Sequence, residues 1–142
     1  PIRAEKMIFL DTSFLVAVEV EGDSNHEKAL RIRDEILKGT FGQLVISDYI
    51  FDETVTVTFG RTKNLEKAVA AGAALKSTSE MIKVDDRDLE QTWELFKNQK
   101  VTKFSFTDCT TIVLMNKHKI TNIATFDEDF TKIDGINVVE EK

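Results

Sequence analysis

Four acidic residues border short apolar runs that lie far apart along the chain. Asp11 follows Met7-Ile8-Phe9-Leu10, and Glu53 closes Asp48-Tyr49-Ile50-Phe51-Asp52-Glu53. Asp108 sits in Phe106-Thr107-Asp108, and Asp127 follows Ile123-Ala124-Thr125-Phe126. In an open α/β fold, ligands bind outside the carboxyl ends of the strands, so residues this far apart can meet at one sheet edge. A group of carboxylates there suits hard divalent cations such as Mg²⁺ or Mn²⁺, which prefer carboxylate and water oxygens. Two such ions about 3.5–4 Å apart can hold a phosphodiester, activate a water and stabilise the departing oxygen. Three or four acids are needed, and their mutual repulsion in a partly dry cleft must be offset by the cations. Each acid also has an ordinary alternative. Asp11 and Asp108 can be helix caps, Glu53 a solvated helix residue, and Asp127 and Asp129 the start of a polar turn. The shared position beside converging apolar segments favours one site.

The elements that must position these acids can be read from the apolar pattern. Residues 7–10 read as a buried strand, followed by a short helix over Phe14 to Val18 that Asp11-Thr12-Ser13 can cap. Asp23 or Ser24 caps a second helix, with Ala29, Leu30, Ile32, Ile36 and Leu37 near a 3.6-residue period and Gly39 beyond its end. Gln43 to Ile46 is a second strand. Residues 48–60 fit two descriptions. Thr54 to Phe59 alternates like a strand, whereas Ser47 and Asp48 are N-caps and Ile50, Phe51, Val55 and Phe59 share a helical face ended by Gly60. The helix is the preferred reading. A helix over 64–76, a strand over 81–84 and a helix from Asp85 or Asp86 follow. Thr107 or Asp108 starts a further helix, with Ile112 to Met115 on or near its buried face. Strands over 121–125 and 136–139 complete the chain. Strands separated by helices predict an α/β fold: a three-layer α/β/α domain with a mainly parallel central sheet of about five strands.

Bulk properties bound the function. A chain of 142 residues suits one domain spanning 1–142, with residues 1–6 an extension before the first strand and Met7 a candidate natural start. A net charge of −6 argues against gripping nucleic acid with the whole surface. Divalent ions at the acids would offset much of that charge and make the local field favourable to phosphate. Cys109 is the single cysteine, which excludes an intrachain disulfide and a thiolate metal site. No apolar run approaches the roughly 20 residues of a membrane span, and the start lacks signal-peptide features, so a cytoplasmic location is expected. There is no Gly-rich phosphate loop. His26 and His118 lie in polar surroundings and are expected to be solvated. Arg61 and Lys63 after the Glu53 segment, and Lys100 and Lys103 before Asp108, are candidate phosphate contacts, with ordinary surface charge as the alternative.

The chain resembles the PIN domain family, in particular the compact Vap-type nuclease toxins of toxin–antitoxin pairs. The resemblance rests on Phe9-Leu10-Asp11-Thr12-Ser13, Ile46-Ser47 with Glu53, Phe104-Ser105-Phe106-Thr107-Asp108-Cys109, and Ile123-Ala124-Thr125-Phe126-Asp127-Glu128-Asp129-Phe130. Four motifs in this order cover nearly the whole chain. The resemblance implies that Asp11, Glu53 and Asp108 bind metal, with Asp127 the fourth acid and Asp129 a carboxylate able to share or take its role. It implies that Ser13 and Thr125 support the ligands, and that Thr12 or Thr107 orients carboxylates or a bound water. It also implies an Mg²⁺- or Mn²⁺-dependent ribonuclease, a homodimer, and a cognate antitoxin. Two other readings remain: a catalytically silent PIN-like module that binds RNA or protein, and a phosphoacceptor receiver domain, to which Asp85-Asp86 lends some support.

Overall fold

The apolar runs are short and buried on both faces, which suits strands of a covered parallel sheet. The computed structural model describes residues 6–141. The expected extension over residues 1–6 therefore lies, apart from Lys6, outside the described residues. The order is β1 (Met7–Leu10), α1 (Thr12–Glu19), α2 (His26–Leu37), β2 (Gln43–Ser47), α3 (Asp48–Thr62), α4 (Leu65–Thr78) and β3 (Glu80–Ile82). Then come α5 (Asp86–Lys97), α6 (Phe106–His118), β4 (Asn122–Ala124), a 3₁₀ turn (Glu128–Lys132) and β5 (Asn137–Val138). Every strand pairing is parallel, and the sheet order is β3-β2-β1-β4-β5. This five-stranded parallel sheet with its six helices is the expected α/β architecture.

Strand β1 is the central strand. Ile8 and Phe9 are fully buried, and Leu10 lies level with Ala124 of β4. The order reverses direction here: the chain leaves β1 toward β2 and β3, and later returns to place β4 on the other side. Such a reversal opens a crevice at the carboxyl ends of the two strands.

The ambiguous segment 48–60 is helix α3. Ser47 Oγ accepts the Ile50 N–H at 3.0 Å, and Ile50, Thr54 and Thr58 form the buried stripe at four-residue spacing. The strand-like alternation of Thr and Val is overridden by this cap and stripe. Phe51 and Val55 turn instead toward α4, close to Gly72, and Phe59 is 47 % exposed. The helix passes Gly60 and ends at Thr62, where Lys63 takes the left-handed conformation (φ 55).

Two other expected caps move. Asn25 holds the N-cap position of α2, and the Asp23 carboxylate accepts the Asn25 N–H. Ser105, rather than Thr107 or Asp108, caps α6, which puts Asp108 at the third helical position. The histidines are less solvated than expected. His26 Nδ1 lies 2.7 Å from the Ala17 carbonyl, and His118 is half-buried with Nε2 sealed from solvent.

Gly42 has φ +82, and a Cβ there would collide with the backbone carbonyl of Lys6. Gly42→Ala should therefore lower unfolding stability by about 2 kcal/mol or more, read as a drop in the urea midpoint. An unchanged midpoint would contradict this tight approach of the β2 entry to β1.

Candidate active site: an acidic cleft between the ends of β1 and β4

Asp11 leaves the central strand in extended conformation (φ −88, ψ 155), and its N–H continues the ladder to the Ala124 carbonyl at 3.0 Å. It occupies the N-cap position of α1, yet its side chain caps nothing. The carboxylate is 2 % exposed. Its Oδ2 accepts the Thr125 hydroxyl at 2.6 Å and the Ser13 hydroxyl at 2.8 Å. Those hydroxyls are themselves fixed: Ser13 Oγ accepts the Phe126 N–H at 2.9 Å, and Thr125 Oγ1 the Asp127 N–H at 3.0 Å. The other oxygen, Asp11 Oδ1, is buried with no hydrogen-bond partner, and so is the neighbouring Thr12 Oγ1. Burial pushes the Asp11 carboxyl above its ordinary range, against the Thr125, Ser13 and Thr12 hydrogen bonds, and the charge of Glu53 adds to the rise.

Asp108 enters from α6. Its Oδ2 accepts the Ser105 N–H at 3.0 Å while its own N–H bonds Ser105 Oγ at 3.1 Å, a reciprocal cap that anchors the helix start. Burial, together with the negative charges of Asp11 and Asp127, raises this carboxyl to about 6 despite the Ser105 bonds. Glu53, half-buried on α3, and Asp127, which follows β4, reach the same cleft. The cleft has a volume of about 360 Å³ and is lined by the four acids with Thr12, Ser13 and Ser105.

The remaining expected residues divide. Asp129 does not line the cleft, and its carboxylate is held at 2.7 Å by Lys132 Nζ and at 2.9 Å by the Lys103 N–H. Lys132 and then Lys103 hold it below the ordinary carboxylate range. Thr107 also stays outside the cleft, its carbonyl accepting the Thr110 hydroxyl. Of the candidate cations, Arg61 lines the cleft, and Lys63, Lys100 and Lys103 do not. Cys109 is fully buried, and burial with the Asp108 charge pushes its thiol up to about 11, unsuited to nucleophilic work. Asp85 lies apart from the cleft, capping α5 and pairing with Lys117, which removes the support for a receiver domain.

Ser105, Asp23 and Asn25 also line the cleft, and none of them is expected there from the sequence. Ser105 is signalled by the Ser105-Phe106-Thr107-Asp108 capping spacing. Asp23, which reads as a helix cap, carries no local signal for its place beside Arg61.

The donor set fits a hard divalent cation. It offers carboxylate and hydroxyl oxygens with no thiol or imidazole, and one carboxylate oxygen is buried and unpartnered. Among the described residues, no three acidic, His or Cys side chains already form one closed ligand set.

The fold and this cleft define a PIN-domain protein. The PIN domain model matches residues 8–136, and the chain belongs to that family of metal-dependent nucleases. The 23S rRNA-specific endonuclease VapC20 of Mycobacterium tuberculosis is 33 % identical over 133 residues, which is 93 % of this chain and 98 % of the relative. The crystal structure of Mycobacterium tuberculosis VapC20, a sarcin–ricin loop cleaving toxin, matches with TM-score 0.81 and 30 % identity, covering 94 % of this chain and 98 % of that one. DNA-bound VapBC2 of Rickettsia felis shares the fold at TM-score 0.69 and 15 % identity, covering 94 % of this chain and 97 % of that one.

A carboxyl raised above its unfolded value contributes stability at low pH and loses it as pH rises through the folded value. For Asp108 that window runs from 3.8 to about 6. In metal-free protein, Asp108→Asn should raise Tm at pH 8 by a few degrees, with the gap closing as pH falls toward 4. A variant less stable than wild type at pH 8 would contradict the crowding of charge at this site.

Proposed function

We propose that this protein is a metal-dependent endoribonuclease that hydrolyses RNA phosphodiester bonds at the acidic cleft. The carrying observation is the buried Asp11 carboxylate, with one oxygen fixed and the other unpartnered, facing Glu53, Asp108 and Asp127 in a PIN-domain chain. Asp11, Glu53, Asp108 and Asp127 would hold Mg²⁺ or Mn²⁺. When bound, the ion neutralises phosphate charge and lowers the pKa of a coordinated water.

The chain's own groups then orient the site. Ser13 and Thr125 fix the Asp11 carboxylate through Oδ2 and leave Oδ1 without a partner. Ser105 does the same for Asp108. Thr12 presents a hydroxyl with no other partner. We assign the fourth acid to Asp127 rather than Asp129, because both Asp129 oxygens already face cationic or N–H donors. Neither histidine lines the cleft, so an imidazole base has no place in this scheme.

VapC20 is named for cleaving 23S rRNA, and a structured rRNA loop is accordingly the proposed substrate class. The VapBC neighbours support a toxin of a toxin–antitoxin pair, with a cognate antitoxin as partner. A homodimer and a cytoplasmic location complete the proposal. Among the described residues no helix is long and apolar enough to cross a membrane.

The test is cleavage of a labelled stem–loop RNA carrying the sarcin–ricin sequence. Cleavage should require Mg²⁺ or Mn²⁺ and cease in EDTA. Asp11→Asn or Asp108→Asn should lower kcat/KM by more than ~100-fold, Ser13→Ala by about 10-fold, and Asp129→Asn by less than ~3-fold. Wild-type activity in Asp108→Asn would overturn the site, and RNA binding without cleavage by wild type would favour a silent interaction module.

A further inference from the structure

Among the described residues, Arg61 is the one cation that lines the acidic cleft. Helix α3 puts it there: Glu53, Val57 and Arg61 recur every four residues, so one stripe of the helix runs along the cleft wall. The Arg61 Cα therefore lies about 12 Å along the axis from that of Glu53. Arg61 Nη1 donates to Asp23 Oδ2 at 2.7 Å, while Asp23 Oδ1 accepts the Asn25 N–H at 2.9 Å. The Arg61 side chain remains 43 % exposed, against 16 % for Asp23. The other sequence candidates are disposed differently. Lys63 turns its Nζ back to the Gly60 carbonyl, and Lys103 gives its backbone N–H to Asp129.

A guanidinium has five N–H donors in a planar fork that matches phosphate oxygens in pairs. Among the described residues, Asp23 engages one of Arg61's terminal nitrogens and leaves the rest of the fork open. A partly exposed ion pair is screened by water and exchanges at little cost. A divalent ion held by the acids would bind the scissile phosphate, and Arg61, two helical turns away, would face an adjoining one.

Resting on the nuclease reading, we infer that Arg61 binds an RNA backbone phosphate flanking the scissile bond, and that Asp23 holds the guanidinium at the cleft rim until the phosphate displaces it. Arg61 thus positions the strand, while the acids carry the chemistry.

The test measures binding rather than turnover. A fluorescein-labelled stem–loop RNA with the sarcin–ricin sequence is titrated with the Asp108→Asn protein at fixed Mg²⁺ and varied KCl. Adding Arg61→Ala should weaken binding and reduce the slope of log affinity against log salt by about one. Arg61→Lys should keep the slope but lose part of the affinity. Asp23→Asn, which frees Arg61 and removes a negative charge, should tighten binding. An unchanged slope in Arg61→Ala overturns the inference. So does an Asp23→Asn variant that weakens binding as much as Arg61→Ala, because the pair would then be only a strap between α3 and the α1–α2 loop. Failure of the nuclease reading is separate: wild type would then leave this RNA uncut in Mg²⁺, whether or not it binds.

Discussion

A carboxylate buried at the end of the central strand is the constraint around which this molecule is arranged. Asp11 is 2 % exposed, and an ionised group taken out of water is costly unless paired and hydrogen-bonded. The Thr125 and Ser13 hydroxyls offset part of that cost at Oδ2, and Oδ1 has no partner. Among the described residues no basic side chain bonds it. Glu53 instead adds repulsion, and Asp108 feels Asp11 in turn. A structure selected for stability alone would place Asn or a lysine partner here. On the proposed function, a divalent cation would be the compensation that makes four such acids compatible with one cleft.

The supporting elements follow from that need. β1 and β4 are parallel neighbours in fixed register, so the residues just past them, Asp11 and Thr125, meet without a long loop. The hydroxyls are then locked by backbone N–H groups of 126 and 127, which makes the carboxylate's orientation a property of the sheet end. Asp108 serves folding and site together. One oxygen closes the capping box that starts α6, and no hydrogen bond among the described residues engages the other. The same logic separates two aspartates two residues apart. Lys132 and the Lys103 N–H satisfy Asp129, whereas Asp127 spends one oxygen on the Asp129 N–H and faces the cleft.

Much of this was legible in the sequence, because strand ends and helix starts are local signals. The run 7–10 followed by Asp-Thr-Ser announces a buried strand and the helix start after it, and the parallel sheet follows from the alternation of elements. Helix α3 was harder. Its Thr and Val residues mimic a strand, and only the Ser47 cap and the buried stripe Ile50, Thr54 and Thr58 decide the matter. What stayed hidden was long-range. Asp23 meets Arg61 across 38 positions, and Lys103 meets Asp129 across 26, pairings that no periodicity encodes. That both Asp129 oxygens are already taken, the ground for proposing Asp127 as the fourth acid, shows only in the structure.

The central claim is that Asp11, Glu53, Asp108 and Asp127 together form one divalent-cation site. The most direct test is anomalous scattering from crystals grown with Mn²⁺. A manganese peak is expected in the cleft, within coordination distance of Asp11 Oδ1 and a carboxylate oxygen of Asp108. Manganese bound elsewhere, with the cleft empty at saturating Mn²⁺, would contradict it.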